Sequence, residues 1–213
     1  MSEHREIEIK FPLENPQAMR EALLQQGALL QGRHIELNIR LDDLQRSLTA
    51  RRIVLRLRRV EEEGGITHIL TVKTPVADPD RSFSVRREIE VTVSDGEAML
   101  AALSVLGYVP YWRYEKRRET FRLGPVEAVI DEMPFGWFLE LEGPKDEIRE
   151  LAARLGLDLS EGMTLSYAQI FENVRRALNL SETDLTFEAF PDVRLTPEIY
   201  RGGGEGDKSG QMR

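Results

Sequence analysis

Cysteine is absent from the 213 residues, which excludes disulfides and thiolate metal sites. Histidine is nearly as scarce. With only His4, His34 and His68 available, carboxylates become the main candidates for holding any metal ion. No run of 18 apolar residues occurs, and the N-terminus lacks the basic-then-apolar order of a secretory leader; the expectation is a cytoplasmic protein with no membrane partner. Basic residues are in deficit, 29 against 37 acidic, for a formal net charge of −8. That balance argues against broad nucleic-acid binding, which needs a basic surface, but still permits a local basic cavity.

The composition, 41% hydrophobic and 31% charged, suits one domain with a sizeable core. Residues 1–180 are expected to form it and residues 181–213 a C-terminal extension. The last dozen residues, GGGEGDKSGQMR, bury too little apolar area to offset ordering, so the extension is expected to be largely disordered after 201.

Alternation with period two is the dominant pattern. In EIEIKF the charged Glu6, Glu8 and Lys10 share one face and Ile7, Ile9 and Phe11 the other. Residues 28–42 repeat it, with Ile35, Leu37, Ile39 and Leu41 opposite Glu36, Asn38 and Arg40. Further strands are predicted over 51–62, 67–74, 83–93, 108–123, 126–133 and 135–142, each with charge on one side. Helices are predicted from Pro16 to Gly27, over 95–107, 144–155 and 164–178, the first opened by Asn-Pro and the second closed by Gly107.

A solvated outer face explains any one of these charged rows equally well. Eight antiparallel strands, however, can close into a barrel, which removes the sheet edges and leaves a lumen for one small ligand. Inside it Lys10, Arg56, Arg58, Lys73, Lys116 and Arg118 would supply six cations, a set suited to a chain of phosphates. Glu6, Glu8, Asp131, Glu140 and Glu142 would repel such a ligand unless a hard divalent cation, Mg2+ or Mn2+, lay between. Glu88 and Glu90 are explained as well by salt bridges to Arg86 or Lys73. The histidines fit solvated or structural roles, and Trp112 and Trp137 fit packing under the helices.

These blocks resemble the CYTH superfamily of triphosphate tunnel metalloenzymes, which includes class IV adenylyl cyclases, thiamine triphosphatases and inorganic triphosphatases. The resemblance runs over roughly residues 5–180. Its opening Glu-x-Glu-x-Lys is Glu6, Glu8 and Lys10; its paired arginines are Arg56 and Arg58 in LRLRR; its later lysine is Lys73. REIEV carries Glu88 and Glu90, YEKRRETF carries Lys116 and Arg118, and VIDEMPFGWFLELEG carries Asp131, Glu140 and Glu142. The resemblance implies an α+β fold, an eight-stranded antiparallel closed β-barrel with flanking helices, that binds a triphosphate along its axis. It implies Glu6, Glu8, Glu140 and Glu142 as catalytic carboxylates, with Asp131 beside them on the metal.

The chain departs from the family in one place: Arg40-Leu41-Asp42 stands where many members have an aromatic pair before an aspartate. This argues against thiamine triphosphatase activity and leaves Lys10 a phosphate-binding role only. Tyr167, in TLSYAQIF, is similar to a late family motif, although core packing explains a tyrosine on an amphipathic helix. Three functions are left: a metal-dependent hydrolase of inorganic or nucleoside triphosphate, a class IV-type adenylyl cyclase, and a non-catalytic polyphosphate-binding module. The partner expected in each case is a triphosphate-containing small molecule. Oligomeric state is open, a homodimer among the options.

Overall fold

In the computed structural model, which describes residues 2–181, 184–190 and 195–203, all eight charged rows become strands. They are β1 (Ser2–Leu13), β2 (Leu29–Asp42), β3 (Val54–Glu62), β4 (Gly65–Pro75), β5 (Ser84–Val93), β6 (Val109–Leu123), β7 (Val126–Met133) and β8 (Gly136–Glu142). Every neighbouring pair is antiparallel, and the order β1-β5-β4-β3-β2-β6-β7-β8 closes on itself as a barrel. Closure joins the first strand to the last, with Glu8 opposite Glu142 and Lys10 opposite Glu140.

Helices cover much of the apolar outer face, leaving Ile35, Ile66 and Val91 exposed. Among the described residues the helices are α1 (Pro16–Gln25), α2 (Ser47–Ala50), α3 (Gly96–Val105), α4 (Lys145–Arg154), α5 (Tyr167–Leu178) and α6 (Pro197–Tyr200). Their starts are written in the sequence: the Asn15 and Asp95 side chains accept from the Ala18 and Ala98 N–H groups, and Ser166 and Gln169 form a reciprocal capping box on α5. None of the described helices is long and apolar enough to cross a membrane.

The core therefore lies outside the barrel. Ile9, Phe11, Leu139 and Leu141 pack against Leu23 of α1 and Ile148 and Leu151 of α4. Leu41, Leu55 and Leu57 pack against Leu48 and Leu103 of α2 and α3. A third cluster stands at one end, where Trp112, Tyr114 and Phe138 meet Ile170, Phe171 and Val174 of α5. At two places the wall splays and a C-terminal segment fills the gap. Met163 bridges Lys10 beyond the reach of β5, with N–H to carbonyl distances of 3.0 and 2.7 Å. The preceding Gly162 admits this approach, since a Cβ there would run into Ile9. Leu185, wholly buried, bridges β6 at Tyr114.

Differences from the predicted elements are local. The four-residue α2 is too short to show a helical period, and Asp42 organises it through hydrogen bonds from the Leu48 and Thr49 N–H groups and the Thr49 hydroxyl. Segments 184–190 and 195–203 of the extension are folded onto the domain, Tyr200 donating to the Phe135 carbonyl at 2.9 Å. The disorder expected after 201 falls almost wholly on residues outside the described set.

Candidate active site

Side chains of one parity from every strand point into a cavity of about 790 Å3 along the barrel axis. It brings together Glu6, Glu8 and Lys10 of β1, Arg56 and Arg58 of β3, and Lys73 of β4. Glu88 and Glu90 of β5, Lys116 and Arg118 of β6, and Glu140 and Glu142 of β8 complete the predicted set in the lining. Asp131 is set apart from that lining. Its side chain is fully buried and takes Arg118 at 2.7 and 2.6 Å, Lys116 at 3.3 Å and the Tyr167 hydroxyl at 2.9 Å. Four donor contacts saturate it, which suits it to aiming Arg118.

Each cation of the predicted phosphate-binding set has carboxylate neighbours. Lys10 lies 2.7 Å from Glu8 and 3.3 Å from Glu140; Lys73 lies 2.5 Å from Glu6 and 3.1 Å from Glu88. Arg58 spans Glu36 at 3.2 Å and Glu90 at 2.9 Å. Arg118 reaches Glu140 at 2.7 Å, while Arg56 is 3.8 Å from Glu90 and donates to the Tyr114 hydroxyl at 3.2 Å.

These contacts set the protonation states. Burial disfavours the Lys10 charge, but Glu140 and Glu8 more than offset it and raise its pKa. Burial likewise works against Glu140, which Lys10, Arg118 and Lys116 nevertheless hold far below the usual carboxylate range. Glu142 is the exception. Burial, together with the neighbouring Glu6 and Glu8, pushes its pKa up to about 8, and its one ion-pair contact among the described residues is the exposed His4 at 4.0 Å. Close to it, Glu6 Oε2 is buried without a partner.

Two residues outside the predicted set join this network. Glu36, fully buried in the wall, lies 3.4 Å from Lys116 and 3.2 Å from Arg58, contacts His34 at 2.9 Å and accepts from Asn38 at 3.1 Å. Burial opposes its charge, yet Lys116, His34 and Arg58 depress its pKa well below the ordinary value. Its place on a charged row was the available signal. Tyr167 packs in the aromatic cluster, as a core tyrosine would, and also lines the cavity, with the Lys10 and Lys116 ammonium groups 5.5 and 5.9 Å from its ring. Trp112 likewise packs and lines the cavity, whereas Trp137 lies against Arg20 on the outside.

Comparisons with known proteins agree with this architecture. A protein of Methanocaldococcus jannaschii, provisionally assigned as an adenylate cyclase, is 26% identical over 190 residues, 89% of this chain and 98% of the relative. A solved Vibrio parahaemolyticus structure, with the same provisional assignment, superposes with a TM-score of 0.70 at 22% identity, covering 80% of this chain and 99% of that one. A Pyrococcus horikoshii protein gives 0.65 at 26% identity, with 80% and 99% coverage. A Hippeastrum protein, provisionally an adenylyl cyclase and described as having a dominant triphosphatase activity, gives 0.60 at 17% identity, with 79% and 96% coverage. The CYTH domain model matches residues 4–183, and the chain belongs to the CYTH family.

Proposed function

We propose that this protein is a divalent-metal-dependent hydrolase of triphosphate-containing substrates. The observation that carries this reading is the pairing inside the cavity: six cations interleaved with carboxylates, of which Glu6 keeps a buried oxygen without a partner and Glu142 is crowded by Glu6 and Glu8. A pure anion binder gains nothing from those carboxylates.

The residues fit a hard divalent ion. Among the described residues no group of three or more ligating side chains is gathered beforehand, but the donors are all oxygens, and the buried, partnerless Glu6 Oε2 lies in the same wall as the crowded Glu142. Glu6, Glu8, Glu140 and Glu142 would hold Mg2+ or Mn2+, with Asp131 acting through Arg118. When bound, the ion supplies charge neutralisation and orientation at the phosphoryl oxygens. The protein's own groups do the rest. Lys10, Lys73 and Lys116 provide point charges and Arg56, Arg58 and Arg118 forked donors along the phosphate chain. Each gives up a carboxylate for a phosphate, so substrate binding exchanges ion pairs without exposing charges. The Arg118 and Arg56 forks stabilise charge that grows on the transferred and leaving groups.

The decisive measurement is product analysis of the purified protein with inorganic triphosphate or ATP and Mg2+ or Mn2+. Release of phosphate is expected. Cyclic AMP with pyrophosphate would support the second reading, adenylyl cyclase, which the provisional names of the Methanocaldococcus and Vibrio relatives favour. Binding with no product under either metal would support the polyphosphate-binding module. Glu140→Gln with Glu142→Gln is expected to lower turnover by more than about 100-fold while triphosphate binding persists; unchanged turnover would overturn the metal-site assignment. A cytoplasmic location accords with the same reading.

A further inference from the structure

The C-terminal extension enters the tunnel wall from beyond the end of the family match at residue 183. β7 pairs with β6 only from Arg117 onward, so the half of β6 that carries Trp112, Tyr114 and Lys116 lacks a strand on the edge away from β2. Segment 184–190 takes that edge. The Leu185 N–H donates to the Arg113 carbonyl at 2.8 Å, and the Leu185 carbonyl accepts from the Glu115 N–H at 2.9 Å. Two side chains tie the bridge at its ends: the Asp184 carboxylate accepts from the Arg113 N–H at 3.0 Å, and the Glu115 carboxylate accepts from the Phe187 N–H at 2.9 Å. Segment 195–203 is fastened separately. Tyr200 donates to the Phe135 carbonyl, Asn173 of α5 donates to the Tyr200 carbonyl at 2.9 Å, and a Cβ at Gly136 would run into the Tyr200 hydroxyl.

Side chains alternate along β6, and those that line the cavity here are Trp112, Tyr114 and Lys116. Behind them Leu185, fully buried, packs in the cluster with Trp112, Tyr114 and Phe171. Tyr114 is itself buried, and its hydroxyl accepts from Arg56 at 3.2 Å. That is the shortest polar contact of the Arg56 guanidinium among the described residues, since Thr71 and Glu90 lie at 3.5 and 3.8 Å. A hydroxyl holds a guanidinium in one place only if its own ring cannot turn. Leu185 supplies the packing that stops the ring. The line of contact thus runs from a segment outside the matched domain, through Tyr114, to a cation of the tunnel.

We propose that the extension is a positioning element of the active site: Leu185 fixes Tyr114, and the Tyr114 hydroxyl holds Arg56 in place for the phosphate chain. Both residues act through Arg56. The proposal deepens the triphosphate reading above and rests on it. It assigns part of this chain's affinity for triphosphate to residues that lie past the family domain.

The test is calorimetric titration of the full chain with inorganic triphosphate, metal removed by chelator. Tyr114→Phe keeps the ring, removes the hydroxyl and is expected to weaken binding about fivefold. Leu185→Ala should weaken it by a similar factor. If both act on Arg56 by one route, the double variant loses less than about tenfold, whereas independent effects multiply to about 25-fold. Leu185→Met, close in volume, should bind within about twofold of the native protein. Multiplied losses, or native binding by Leu185→Ala, would overturn the proposal. If Leu185→Ala fails to fold, Asp184→Ala takes its place, cutting one tie and leaving the buried leucine. It should weaken binding about twofold in the native background and leave it unchanged in the Tyr114→Phe background; the same loss in both would overturn the proposal. Binding is read without turnover, so the two readings fail separately. Native protein that binds triphosphate but releases no phosphate, with the variants coupled, sinks the hydrolase and leaves the positioning role. Phosphate release with multiplied losses sinks the positioning role alone.

Discussion

Two ion networks in this molecule use the same residue types to opposite ends. Outside the barrel, the β4–β5 loop is pinned to α4 by Asp78, 2.6 Å from Arg5 and 2.5 Å from Lys145, and by Asp80, 2.5 Å from Arg149. Arg5 and Arg149 reach solvent, at 56% and 40% exposed, while Lys145 is 22% exposed. Inside the barrel, Glu36, Lys116, Arg58, Asp131 and Arg118 interlock with Glu36 and Asp131 at zero exposure. Solvent screens the Arg5 and Arg149 pairs of the first network and makes them dispensable. The second has no such screen, so each charge depends on its neighbours, and a hydrophobic filling would hold the barrel at lower cost. What the interior network offers in return is exchangeable partners for a polyanion.

Removing one interior partner should break the contrast most visibly. Glu36→Ala is expected to destabilise the fold by about 3 kcal/mol in denaturant unfolding, the low end for a broken buried pair because Lys116 retains Asp131 and Arg58 retains Glu90. A loss within error would show that the tunnel is as well solvated as the surface.

Asp42 sharpens the comparison as an intermediate case: a carboxylate 1% exposed that is satisfied by N–H and O–H donors with no cation. Burial would raise its pKa, yet the hydrogen bonds from Thr49, Leu48 and Asp43 lower it from 3.8. A depressed folded-state pKa contributes stability that is complete above the unfolded value and lost as pH falls through the folded one. Asp42→Asn should therefore be less stable than the native protein at neutral pH, and the gap should narrow below about pH 3.8. A gap constant with pH would mean that the ionised carboxylate is not the capping species.

The smallest effect belongs outside. Arg149→Gln, at a residue 40% exposed, should leave the unfolding midpoint almost unmoved, and the small effect should diminish further in high salt. A shift comparable to that of Glu36→Ala would erase the distinction between the two networks.

How much of this was legible in the sequence follows from what is local. Period-two alternation is local, so all eight strands and their charged faces could be read, and four helices followed from caps and apolar spacing. Which carboxylate ends beneath which cation depends on register between strands distant in sequence. Glu36 faces Lys116 only because β2 pairs with β6, and Asp131 is drawn to Arg118 because β7 places the two directly opposite. From parity alone Asp131 is indistinguishable from Glu140, although one lies behind the lining and the other in it.

The closing seam between β1 and β8 also imposes an order in time. Residues 8–13 find their ladder partners at 137–142, Lys10 its bridge at Met163, and Tyr114 its bridge at Leu185. During synthesis β1 leaves the ribosome well before its partners at 137–142 and 163 and must wait for them before it is fully paired. Until then its apolar row, Ile7, Ile9 and Phe11, has cover from Leu23 of α1 but lacks Leu139, Leu141, Ile148 and Leu151. A barrel sealed by its two ends is a slow folder by topology, and its opening strand is the segment most in need of protection while translation is under way.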